Sequence, residues 1–98
     1  MINSNQISQI ESDQIRSIAE YLYKQQIPVT FFGKAWSGCT NNWIYFDTYL
    51  DIEALTALFN LGEHIEIHEN LDPRSGLEKG FIDKNTGEGL MGKLKPVR

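Results

Sequence analysis

Isoleucines recur at near-helical spacing close to the start of the chain. Ile7, Ile10, Ile15, Ile18 and Leu22, with Ala19 on the same side, mark the buried stripe of an amphipathic helix. Ser8-Gln9-Ile10-Glu11 matches the capping box Ser-x-x-Glu, and Ser12 and Asp13 are further cap candidates. Pro28 stops the pattern, because the residue before a proline is pushed out of the α region. The spacing predicts a helix over about 8–26.

The periodicity then changes. VTFF at 29–32 is β-branched and aromatic, and Gly33 after it ends or bulges the strand. NWIYFDTY at 42–49 alternates, with Trp43, Tyr45 and Asp47 on one side and Ile44, Phe46 and Thr48 on the other. The two form an antiparallel hairpin. Asp51 is placed to cap a second helix over about 52–60, with Ile52, Leu55, Leu58 and Phe59 as its buried stripe and Gly62 at its C′ position. HIEIHE at 64–69 reads as a strand with Ile65 and Ile67 inward and His64, Glu66 and His68 outward. Strands over about 77–83 and 88–94 follow, joined at Asn85-Thr86-Gly87 with Gly87 at positive φ. The glycines of the last strand read as bulges.

The resulting order is α-β-β-α-β-β-β. Hairpin connections dominate, so the fold class is α+β: a two-layer domain over 1–98 with a mostly antiparallel sheet of four or five strands and two helices on one face. The other face is expected to be partly exposed, with Trp43 and Tyr45 in an aromatic patch.

Composition supports a folded core: 41% of residues are hydrophobic and 11% aromatic, above disordered values. The single cysteine cannot form an internal disulfide, and MINSNQISQIESD is not a signal peptide, so the expected location is cytoplasmic. No apolar run is long enough to span a membrane. The formal net charge is −4, and no Lys or Arg occurs between Lys34 and Arg74, where Asp47, Asp51, Glu53, Glu63, Glu66, Glu69 and Asp72 lie. Such a field repels phosphate backbones, which weighs against nucleic-acid binding, and suits a basic protein partner.

Three segments carry candidate chemistry. In AWSGCTNNW (35–43) the two tryptophans, Trp36 and Trp43, bracket Cys39. Cys39 with a histidine would make a nucleophile–base pair, but no adjacent Lys or Arg lowers the thiol pKa, and the loop reads as a strand–turn–strand connection. His64 and His68 share one side of a strand, but four residues at about 3.3 Å each part them by roughly 13 Å, too far for one metal ion. No metal and no cofactor is therefore expected. In NLDPRSG (70–76), Asp72 and Pro73 suit a turn, and Arg74 pairs with an acid or clamps an anion. The glycines match no nucleotide-binding pattern.

The expectation from sequence is a small acidic cytosolic protein of bacterial style that acts by binding another protein, for example an inhibitor or immunity-type protein for a basic partner. The candidate binding residues are Trp36, Trp43, Asn42, Glu66, His68, Asp72 and Arg74. A small enzyme or ligand-binding protein, with a site between the 36–43 loop and the 68–78 segment, is the first alternative. The short chain has little volume for a closed catalytic pocket, so a non-enzyme is favoured. A structural domain that forms homodimers through a β edge or the aromatic face is the second.

Overall fold

The isoleucine pattern folds as two helices, not as the single helix expected over 8–26. The structure, a computed structural model, describes residues 4–34, 37–38, 40–69 and 78–93. Helix α1 (Ser4–Ile7) ends after one turn, and α2 (Asp13–Lys24) starts afresh with Ser12 as its N-cap. The capping box at Ser8 is not used, since the Ser8 hydroxyl turns back to the Asn5 carbonyl. The cause of the break lies far along the chain. The carboxylate of Glu88 accepts the backbone N–H groups of Glu11 (3.0 Å) and Ser12 (2.7 Å). A continuous helix would turn those donors onto its own carbonyls. Arg16 donates to the Ile10 carbonyl across the gap, and Ile7 and Ile10 still reach the core.

Helix α2 closes before Pro28 takes effect. Gln26 adopts a left-handed conformation (φ 63°), its N–H donates to the Tyr23 carbonyl, and the Ile27 N–H reaches back to Leu22. This is a Schellman closure with glutamine at the position that glycine usually fills.

Strands β1 (Val29–Lys34) and β2 (Asn42–Tyr49) form the expected antiparallel hairpin, with the irregularity between Val29 and Phe31 and the strand running on through Gly33. Helix α3 (Ile52–Phe59) is capped by Asp51, whose side chain accepts the Ala54 N–H. Its left-handed closing residue is Asn60 (φ 48°), not Gly62, because asparagine tolerates this region better than most residues. Gly62 instead donates its N–H to the Gln14 side chain. Strands β3 (Ile65–Glu69), β4 (Glu78–Asp83) and β5 (Gly89–Lys93) follow, and Gly87 takes positive φ (77°) in the β4–β5 turn as expected.

The strands lie in the order β1-β2-β5-β4-β3, and β5 runs parallel to β2 while the other neighbours are antiparallel. The class is α+β as expected, but the sheet is mixed. Gly89, Leu90, Met91 and Gly92 are all buried, and a strand buried on both faces belongs in the middle of a sheet. Against β4 the register of β5 is continuous from Gly89 to Lys93, but against β2 it shifts between the Tyr45–Met91 and Tyr49–Lys93 pairs, so the expected irregularity occurs on that side only.

The helices cover one face. Ile15, Ile18, Ala19 and Leu22 of α2 and Ile52 and Leu55 of α3 pack on Ile44, Phe46, Ile65, Phe81 and Leu90 of the sheet. Two residues expected inside are not. Leu58 is 58% exposed, because α3 turns Ile52, Leu55 and Phe59 to the core instead. Ile67 is 45% exposed, because β3 is an edge strand and α2 packs over β4 and β5.

Candidate functional site

Polar side chains converge at the start of α2. Ser12, Asp83 and Glu88 are buried, with Ser12 and Asp83 each 3% exposed. The Ser12 hydroxyl donates to Asp83 Oδ2 (2.5 Å) and accepts the Ile15 N–H (3.2 Å). Asp83 Oδ1 accepts the N–H groups of Asn85 (2.8 Å) and Thr86 (3.2 Å). His64 Nε2 stands 3.7 Å from Asp83 Oδ2. Burial pushes the Asp83 carboxyl up, but the Ser12 hydroxyl, the two turn amides and the His64 charge together hold it below its ordinary value.

These residue types suggest a nucleophile, a base and an orienting acid, but the order is wrong for that work. The carboxylate stands between serine and histidine, the serine proton goes to the carboxylate, and the hydroxyl is committed to a helix cap. The cluster is a structural clasp. Sequence reasoning missed it, although Asp83 followed two residues later by Asn85 is a readable Asx-turn signal. His64 was expected on the strand face with Glu66 and His68. It precedes β3 and turns to Asp83 on the helix side. Among the described residues, no group of three or more His, Cys, Asp or Glu is placed to hold a metal ion.

The second feature is the sheet face opposite the helices. The pairing register runs one row across it through Gly33, Trp43, Gly89, Ile82 and Glu66, and a second through Phe31, Tyr45, Met91, Gly80 and His68. Trp43, Met91, Tyr45 and Ile82 form an apolar cluster separate from the main core. The indole of Trp43 lies across Gly89, where a Cβ would stand 2.5 Å from the ring, and Met91 Sδ fills the space above Gly80. Gly89 and Gly80 are thus the floor on which large side chains lie flat. Phe31 meets Tyr45 edge-to-face (5.5 Å), and Phe31 and Tyr49 are exposed. Lys93 pairs with Asp47 across β5 and β2.

The candidate residues separate as follows. Trp43 and Glu66 share the first row and His68 lies in the second, so these three occupy one face. Asn42 alternates with Trp43 and belongs to the other face, beside Lys34. Trp36, Cys39, Asp72 and Arg74 lie outside the described residues. The residues that flank the 36–43 and 68–78 segments, Lys34 and Asn42 at one end and Glu69 and Glu78 at the other, stand at opposite ends of the sheet. Sequence reasoning missed the contributions of Phe31, Ile82 and Met91, which follow only from strand order. No described helix is long and apolar enough to cross a membrane. No protein-family model matches the chain, and neither the curated proteins nor the solved structures include a match.

Proposed function

We propose that the protein acts by binding a protein partner through the sheet face opposite its helices, and that the partner is basic. The observation that carries this reading is the register. It puts Phe31 of β1, Trp43 and Tyr45 of β2 and the exposed Glu66 and His68 of β3 on one face, bridged by Met91 and Ile82. An apolar centre with a charged margin is the anatomy of a specific interface. The surrounding acids add long-range attraction for a cationic surface. An inhibitor or immunity-type protein in the cytoplasm is a concrete form of this reading, supported by size and charge.

The test is capture from native host lysate on immobilised protein at low and at high salt, with wild type, Phe31→Ser and Glu66→Lys in parallel. The reading expects a partner that high salt weakens and both variants lose. Capture that is indifferent to salt and to both substitutions would sink it.

A further inference from the structure

We propose that the protein also forms a homodimer through α3, with Leu58 of each copy seated in the groove between α2 and α3 of the other. Helix α3 has two apolar stripes. Ile52, Leu55 and Phe59 face the core. Ala54, Ala57 and Leu58 are exposed at the i, i+3, i+4 spacing of a second helix face, while Leu61 after the helix end packs against the core. Glu53 is the sole charged residue of the helix. Of the large exposed apolar side chains described, Leu58 is the most exposed. The two alanines leave room for another helix to approach closely.

Beside Leu58 lies a groove of about 350 Å³ lined by Ser17, Glu20, Tyr21, Lys24, Leu58 and Phe59. Tyr21 and Phe59 meet edge-to-face (5.6 Å) in its wall. The patch therefore holds both a projecting side chain and a hollow bounded by apolar groups. A two-fold interface needs that self-complementarity, since one surface must fit itself.

Charge favours a second copy over the basic partner proposed for the sheet face. Helix α2 carries two acids, Asp13 and Glu20, and two bases, Arg16 and Lys24. The groove itself has one acid and one base, Glu20 and Lys24, so a two-fold axis can bring Lys24 of one copy to Glu20 of the other. The groove lining is thus neutral within a chain of net charge −4, although α3 adds the acid Glu53 beside it. The sheet face lies on the far side of the molecule and stays open in such a dimer.

The experiment is analytical ultracentrifugation of the full chain from micromolar to hundreds of micromolar, with Leu58→Asp and, as a sheet-face control, Tyr49→Ser. Far-UV circular dichroism verifies folding, and Leu58→Gln serves as the milder variant should the aspartate unfold the chain. A concentration-dependent dimer is expected, weakened by about thirtyfold or more in Leu58→Asp, as for a central anchor, and unchanged in Tyr49→Ser. A wild type that stays monomeric throughout, or a dimer that survives substitution of Leu58, overturns the proposal.

Discussion

The Ser12 hydroxyl donates to the Asp83 carboxylate at 2.5 Å, joining the first turn of α2 to the β4–β5 turn 71 residues further along the chain. The same hydroxyl caps the helix by accepting the Ile15 N–H. One small side chain thus fixes where the helix starts and how it sits on the sheet.

Ser12→Ala is expected to lower stability by about 2–4 kcal/mol, roughly 1 for the lost cap and the rest for a buried carboxylate left short of a donor. Chemical denaturation measures it. A loss below that of an ordinary exposed cap would mean that the clasp to Asp83 adds nothing.

Acid should open the same clasp. The folded Asp83 carboxyl titrates below its unfolded value, so its contribution is complete above about pH 4 and is lost as pH falls through the folded-state pKa. Thermal melts between neutral and strongly acid pH should show wild type losing stability at the acid end. Asp83→Asn should start less stable at neutral pH and lose less on acidification. Parallel curves for the two proteins would contradict this assignment.

Gly89→Ala puts a methyl group where the Trp43 ring and the Phe81 carbonyl already stand, 2.5 and 2.9 Å from the new carbon. Destabilisation of about 1–3 kcal/mol is expected from this overpacking. The change should be accompanied by a shift in tryptophan emission as the ring lifts from β5. An unaltered melt and an unaltered spectrum together would show that the ring does not rest there.

Gln26 closes α2 in a left-handed conformation that costs a residue with a Cβ about 1–2 kcal/mol. Gln26→Gly removes that strain but adds freedom to the unfolded chain, so a net gain of about 0.5–1 kcal/mol is expected. Urea midpoints for the two proteins decide it, and a destabilised glycine variant would refute the assigned conformation.

The local elements were legible in the sequence wherever the signal was local. The Asp51 cap, the Ile52–Leu55–Phe59 stripe, the alternation of 42–49 and the positive φ of Gly87 each follow from side chains within a few residues of one another. From them came the α+β class and the shared sheet face of Trp43 and Tyr45, although Trp43, expected in an exposed patch, is only 6% exposed and lies flat on Gly89. Strand order was not legible, because pairing depends on which faces must be buried once all the elements meet. The apolar content of β5 on both sides drew it between β2 and β4, and that insertion aligned Trp43 with Glu66 and Tyr45 with His68. The break before α2 was decided the same way. Ser8 and Ser12 are both reasonable caps, and only the approach of Glu88 and Asp83, residues distant in sequence, selects Ser12. Local sequence determined what each segment could become. Long-range burial and hydrogen bonding, which no short window contains, chose among those possibilities.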